Sequence, residues 1–305
     1  MDVVVTGASG FIASALLPAL RAAGHHPIRA VRGRTSESDC ISWDPLAGTI
    51  DASALEGVPA VVHLAGAGIG DKRWTDERKA LILESRTVST RLLATTLAGL
   101  ARPPKVLVSS SAIGYYGSRG DEILTETSAP GDEFVSDVCL RWEAAAKFVT
   151  NVDIRLAIIR TGLVLGKDGG VLKRLLTPFR LGLGGKIGSG KQWMSWISLV
   201  DEVKAIIYAL ENSDLSGPVN LTAPNPVTNS EFTKTLGAVL NRPTFLPTPT
   251  APLKAIYGSE LVNHLLLEGQ RVIPERLQST ATGANGFVFT HPTLEGALRA
   301  LLLSQ

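Results

Sequence analysis

The 305-residue chain is 45% hydrophobic and 19% charged, with 30 Lys and Arg against 28 Asp and Glu. This near-balance excludes nucleic acid and membrane surfaces as main partners. Apolar runs too short to span a bilayer exclude an integral membrane protein, and the length suits one large α/β unit or a main domain with an appendage. Met1-Asp2-Val3 reads as the start of a strand rather than a secretory leader. The only cysteines, Cys40 and Cys139, lack metal-ligand spacing, so the expectation is a cytoplasmic protein with reduced thiols and no metal centre.

In chain order, Val3-Val4-Val5 is a first strand and leads through a glycine turn into a helix over 11–23, closed by Gly24. A second strand covers 27–31. The polar stretch to Gly57, with its Asp44-Pro45 turn, reads as loop with a short hairpin. A continuously apolar third strand over 60–66 marks burial on both faces, as in a parallel sheet. A long helix over 75–100, with Thr75 as N-cap, precedes a fourth strand at 105–109. A helix over 134–149 and a fifth strand over 154–159 follow. This alternation predicts an α/β fold with a doubly wound parallel Rossmann sheet. Residues 182–190 are glycine-rich and basic, 198–211 read as a helix, 243–252 as a proline-rich strap, and 259–267 and 293–303 as short helices. The expected organisation is a dinucleotide-binding domain over 1–165 with a returning segment at about 198–225. Residues 166–305 then form mostly a substrate-side lobe and small C-terminal domain at the C-terminal edge of the sheet.

The glycine turn carries the cofactor prediction. Thr6, Gly7, Ser9, Gly10, Phe11 and Ile12 stand where a strand, a tight turn and a helix N-terminus cradle a pyrophosphate. Ala13 fills the third glycine position, where close helix packing also accepts alanine. The second strand ends in Val31-Arg32-Gly33-Arg34. No carboxylate is there to hold ribose hydroxyls, and two guanidiniums suit a 2′-phosphate, so NADP is favoured over NAD, with Arg32 as the principal contact. Leu64, Ala65 and Gly66 end the third strand with little bulk, allowing close approach of the dinucleotide. His63, inside that strand, reads as a hydrogen-bonded core histidine rather than a catalytic one.

Several strings together carry a resemblance. Thr6-Gly7-Ala8-Ser9-Gly10-Phe11-Ile12, Leu64-Ala65-Gly66, Ser109-Ser110-Ser111-Ala112 with Tyr116-Gly117, and Arg160-Thr161-Gly162 resemble the short-chain dehydrogenase/reductase superfamily on its extended, epimerase-like side. Arg73-Trp74-Thr75, Ser85-Arg86, Trp142-Glu143-Ala144-Ala145, the run from Gly184 to Ile197 and Gly269-Gln270-Arg271-Val272-Ile273-Pro274 are similar to its atypical NAD-dependent epimerase/dehydratase-like subgroup, sometimes labelled cell-division-inhibitor-like. The resemblance covers nearly the whole chain. It implies a Rossmann domain, a small C-terminal domain and NAD(P) binding, without a defined substrate. It also implies Arg86 and Ser109 as members of the cofactor set. On the residues alone, Arg86 serves equally as a helix-surface ion-pair partner. Ser198 stands where the subgroup commonly has a histidine, and Asp201 reads as a helix-capping residue.

The superfamily's Tyr-x-x-x-Lys pair, in which the lysine charge eases proton transfer by the tyrosine, is missing: residues four after Tyr115, Tyr116, Tyr208 and Tyr257 are Arg119, Gly120, Asn212 and Leu261. Candidate catalytic groups are therefore Ser111, at the end of the fourth strand, and Tyr115 or Tyr116. Competing readings are a strand-end serine bonded to backbone and tyrosines lining a pocket. Glu143 is either a buried base or a surface partner of Lys147 at i+4. Lys186, Gln192 and Trp193 are the substrate-loop candidates for an anionic or sugar-like small molecule, against the alternative of a structural loop. Two functions stay open: an NADP-dependent oxidoreductase or epimerase with non-standard acid–base groups, and a non-catalytic dinucleotide-binding sensor. A homo-oligomer is compatible with both.

Overall fold

The computed structural model describes every residue except 34, 36, 281–285 and 304–305, so Arg34 lies outside the described residues. In chain order the elements are β1 (Asp2–Thr6), α1 (Phe11–Ala22), β2 (His26–Arg32), β3 (Cys40–Asp44), β4 (Thr49–Ile50), β5 (Ala60–His63), α2 (Asp76–Ala98), β6 (Val106–Ala112), β7 (Ile123–Leu124) and α3 (Phe134–Ala146). There follow β8 (Arg155–Thr161), β9 (Leu163–Gly166), α4 (Gly170–Arg180), β10 (Trp193–Met194), β11 (Trp196–Ser198), α5 (Leu199–Glu211), β12 (Gly217–Leu221), β13 (Val227–Thr228) and α6 (Asn229–Leu240). The chain ends with α7 (Thr250–Tyr257), α8 (Ser259–Val262), a π-helical turn (Asn263–Leu267), β14 (Arg271–Val272), α9 (Glu275–Thr280) and α10 (Leu294–Leu303).

The main sheet has the order β12-β8-β6-β5-β1-β2-β3-β4, and only the β3–β4 pairing is antiparallel. Its centre is apolar on both faces, as the continuous valine run demands. Val3 and Val5 pack with Leu16, Leu20 and Ile206 of α1 and α5, while Val4 faces the opposite layer with Leu93 and Leu97 of α2. Each such buried side chain stabilises the fold by about 1.5–3 kcal/mol.

The short hairpin expected near Asp44-Pro45 is β3–β4, and β3 also joins the main sheet as a parallel strand beside β2, which was not expected. Ile41 and Trp43 alternate inward and are buried, whereas the intervening Cys40, Ser42 and Asp44 hid the apolar pattern. β12 joins the far edge beside β8, so a segment late in the chain completes the sheet.

From β1 the chain builds outward through β2 to one edge, then returns to β5 and builds to the other. The crevice at this reversal, above the C-terminal ends of β1 and β5, is where ligands of open α/β sheets bind. Beyond β8 the chain makes a second core around Trp196, Phe232, Leu236 and Leu298. A third apolar cluster joins Trp74, Ile82, Val135 and Val138 to Leu261 and Val262 of α8. The proline-rich strap is shorter than expected, because α7 starts at Thr250. No helix among the described residues is long and apolar enough to cross a membrane.

Candidate dinucleotide site and its catalytic corner

A cleft of about 640 Å³ opens at the reversal point, lined by Gly7, Ala8, Ser9 and Gly10 from the glycine turn and by Leu64, Ala65, Gly66 and Ala67 after β5, with Arg32 at one end. Gly7 has φ +66°, and a Cβ there would lie 2.8 Å from the Leu64 carbonyl, so both the turn and the close approach of two chains require glycine. Gly10 is the N-cap of α1 and supplies no side-chain cap. The first-turn amides and the positive helix end therefore face the cleft, ready for an anion.

Two cations stand near the cleft: Arg32 lines it, and Arg86 packs on Gly66 of its lining. Arg32 is exposed at the end of β2 and makes no ion pair with a described residue. The carboxylates nearby in sequence are engaged: Asp44 accepts the Leu46 and Ala47 amides at 3.0 and 3.2 Å, and Glu37 and Asp39 pair with Arg29. Arg86 lies against Gly66, where a Cβ would come within 3.4 Å of its side chain. Its guanidinium sits 5.0 Å from the Trp142 ring centroid and donates to the Ile82 carbonyl. Burial lowers its pKa, and no ion pair joins it to a described residue. Arg86 is therefore not the helix-surface ion-pair partner that the residues alone allowed.

Other members of the predicted cofactor set are not part of the cleft lining. Thr6 is fully buried; its hydroxyl bonds His63 Nδ1 at 2.7 Å and accepts the Leu64 amide at 3.2 Å. His63 is held from its other nitrogen by Thr90 at 2.8 Å, and burial pushes its pKa down to about 4, so it is the neutral core histidine expected. Ser109 is fully buried in β6 with no partner for its hydroxyl, away from the cleft lining. Ile12 packs against the apolar core at the start of α1. The Phe11 ring packs against Gly166 and Gly169, where any Cβ would overlap it. What Phe11 offers a ligand is its backbone. Sequence reading missed Trp43, Pro45, Leu46, Leu81, Ser85 and Ser89 in the lining. Only the i, i+4 spacing of Ser85 and Ser89, beside Arg86, signalled a shared helix face.

The candidate catalytic residues around Ser111 sit in a buried polar network. Ser111 Oγ donates to Glu143 Oε1 at 2.7 Å, and Arg160 grips both carboxylate oxygens of Glu143 at 2.9 and 3.0 Å. Arg160 also donates to the Tyr116 hydroxyl, which donates to Asn220 Oδ1 at 2.6 Å. Burial alone would lower the Arg160 pKa, but the bonds and charge of Glu143 hold it raised. Glu126, buried nearby, accepts the Asn220 amide at 3.0 Å, and burial raises its pKa.

Three expectations change here. Glu143 is buried and pairs with Arg160 rather than Lys147. The proton of Ser111 points at Glu143, so the serine presents lone pairs, not a donor, to an incoming group. Tyr116 is fully buried with its hydroxyl engaged by Arg160 and Asn220, and burial pushes its pKa up to about 12, so the phenol stays protonated and ties the fold together. Tyr115 is partly buried, its ring 3.4 Å from the Arg160 guanidinium, and its hydroxyl makes no hydrogen bond with a described residue. On α3, Val135 and Cys139 face Gly114 after β6. Cys139 Sγ is 3.7 Å from the Ala112 carbonyl, and burial pushes its pKa up to about 11. An aliphatic side chain and a thiol thus occupy the helix face next to Ser111.

In the glycine-rich segment, Gln192 donates to the carbonyls of Ile187 and Leu266, fastening it to the π-helical turn. The Trp193 indole donates to Asp121 at 2.7 Å and lies 4.4 Å under the Arg271 guanidinium. Lys186 is exposed and reaches only the Ser189 carbonyl. Trp196 is core. Ser198 caps α5, and Asp201 accepts the amides of Thr290 and His291, so this carboxylate anchors the C-terminal segment beyond its capping role.

Comparison with known proteins agrees with this geometry. The model of the NAD dependent epimerase/dehydratase family matches residues 3–221, and that of DUF1731, a domain of unknown function, matches 248–301. The chain is 42% identical over 298 residues to the epimerase family protein Mb2239 of Mycobacterium bovis, covering 97% of this chain and 96% of that one. It is 39% identical over 311 residues to a chloroplastic SDR39U1 homologue of Arabidopsis thaliana, covering 99% and 87%. Among solved structures, human epimerase family protein SDR39U1 with NADPH superposes with a TM-score of 0.90 at 37% identity, over 100% of both chains.

Proposed function

The chain belongs to the NAD dependent epimerase/dehydratase family, and on that premise we propose that it binds NADP(H) in the cleft above β1 and β5 and acts as an epimerase or oxidoreductase on a small polar molecule. One observation carries the NADP reading: Arg32 lines the cleft without an ion-pair partner among the described residues, while the neighbouring carboxylates are engaged elsewhere. The NADPH in the human relative's structure supports it. We assign the pyrophosphate to the first-turn amides of α1 and to Arg86. The organisation proposed is a dinucleotide domain over 1–165 completed by about 198–225, with the rest forming the substrate side.

When bound, the dinucleotide supplies hydride exchange at its nicotinamide ring. The protein's own contribution is proton handling next to it. Ser111 Oγ, pre-oriented by Glu143, accepts the proton of a substrate hydroxyl while passing its own to Glu143, and Arg160 holds the carboxylate in place. Tyr115 provides a second hydroxyl at the same corner. On the proposed substrate side the exposed Lys186 suits an anionic or sugar-like ligand, whereas Gln192 and Trp193 spend their donors inside the fold and offer only the remaining surface of their side chains. The alternative, a dinucleotide-binding sensor without turnover, is favoured by the missing Tyr-x-x-x-Lys pair.

Titration with NADPH and NADH tests the cofactor assignment. Losing a charge-assisted pair costs about 1.5–3 kcal/mol, so Arg32→Ala weakens NADPH about tenfold to a hundredfold and leaves NADH nearly unchanged. Equal loss for both dinucleotides refutes the 2′-phosphate contact.

A further inference from the structure

Away from the cleft, three potential metal ligands converge where the C-terminal segment meets α3. Glu133 is the N-cap of α3, and His264 and Glu268 come from the π-helical turn and the residue after it. Their donor atoms all lie within 4.8 Å of one another. His264 Nδ1 is 2.8 Å from Glu268 Oε2 and 3.9 Å from Glu133 Oε2. The 2.8 Å contact is a hydrogen bond that gives way when a cation binds, since neighbouring ligands of a tetrahedral ion with bonds of about 2.0–2.2 Å lie roughly 3.4 Å apart.

Four further observations point to a cation. Glu133 Oε2 is buried and has no hydrogen-bond partner among the described residues, although Glu133 Oε1 accepts the Ser118 amide. A buried carboxylate oxygen left unmatched is costly, and a cation resolves it. The His264 ring is stacked on Trp74 at an interplanar angle of 12°, which holds Nδ1 towards both carboxylates. No arginine or lysine forms an ion pair with Glu133 or Glu268 among the described residues. Trp74, Phe134, Leu261 and Val262 cluster around the junction and exclude water from part of it. The other convergent set, Glu37, Asp39 and Cys40, differs in this respect, because the Arg29 guanidinium already sits on its carboxylates.

We propose that Glu133, His264 and Glu268 hold one divalent transition-metal ion of the zinc class, clipping the C-terminal segment to the N-terminus of α3. An imidazole with two carboxylates suits such an ion, whereas calcium takes six to eight oxygen ligands. Water completes the coordination shell. The ligands come from opposite sides of the junction: Glu133 lies within the epimerase-matched region and the other two within the DUF1731 region. The ion therefore stabilises the docking of one on the other, in proportion to its occupancy.

The test uses the full chain without an affinity tag, stripped with EDTA and titrated with Co²⁺ and Zn²⁺. The proposal expects saturable binding of one ion per chain, visible Co²⁺ ligand-field bands and a rise in Tm with Zn²⁺. Glu133→Gln, His264→Gln and Glu268→Gln each weaken binding by more than about tenfold. NADPH binding, monitored in parallel, stays intact in folded variants, and any one folded variant suffices for the comparison. Absence of saturable binding to the wild type, or unchanged affinity in a folded variant, overturns the proposal.

Discussion

At the scale of single residues, Tyr115 and Tyr116 are neighbours with opposite employment. Tyr116 is buried between Arg160 and Asn220, so removing its hydroxyl leaves a buried donor and acceptor unmatched. Tyr116→Phe therefore lowers unfolding stability by about 1–3 kcal/mol, measured by chemical denaturation. Tyr115→Phe removes a hydroxyl that holds no described partner, so stability changes by less than about 0.5 kcal/mol and any effect falls on turnover. A large stability loss in Tyr115→Phe with none in Tyr116→Phe reverses this assignment. The sequence placed both tyrosines in one loop but did not separate their roles. Burial of Tyr116 depends on Asn220 and Arg160, respectively 104 and 44 residues away.

At the scale of elements, the β1–turn–α1 unit was the most legible part of the chain. Its signals are local: three consecutive valines, a glycine at φ +66° and an amphipathic run immediately after. The turn also makes the firmest element-scale prediction. Gly7→Ala places a Cβ against the Leu64 backbone and strains φ, so dinucleotide affinity falls by at least about tenfold while the chain still folds. Unchanged affinity by titration removes Gly7 from the site. The hairpin of β3 and β4 was legible from its turn, but the parallel pairing of β3 with β2 was not, since pairing partners leave no local signal. The catalytic corner was partly legible. Ser111 and Glu143 stood out by resemblance and position, but the Arg160 contact that orients Glu143 crosses between α3 and β8 and leaves no spacing signature. Likewise His264 and Glu268 sit at helical spacing, yet Glu133 is 131 residues from the nearer of them.

Across the whole molecule, one buried acid makes a distinct contribution to the pH dependence of stability. Glu202, fully buried on α5, accepts from the Thr161 hydroxyl at 2.8 Å, and its other oxygen has no hydrogen-bond partner among the described residues. Burial pushes its pKa up from 4.5 to about 8. Between these values the folded chain keeps the proton that the unfolded chain has released. The contribution of Glu202 to stability is therefore fully present below about pH 4.5 and is lost as pH rises towards 8, with a slope of at most about 1.4 kcal/mol per pH unit. Glu202→Gln removes this slope, so denaturation curves of the two proteins diverge in favour of the variant as pH is raised. Parallel curves over that range contradict the buried neutral carboxyl.

The same whole-molecule view joins cofactor and chemistry, because the glycine turn, Arg32, Arg86 and the Ser111–Glu143 corner all meet the C-terminal edge of one sheet. A crystal structure with NADPH bound tests this most directly. The account predicts the 2′-phosphate on the Arg32 guanidinium and the pyrophosphate on the first-turn amides of α1. It places the nicotinamide C4 face within reach of Ser111 or Tyr115. A dinucleotide bound elsewhere, or a nicotinamide surrounded only by apolar groups and backbone, contradicts it.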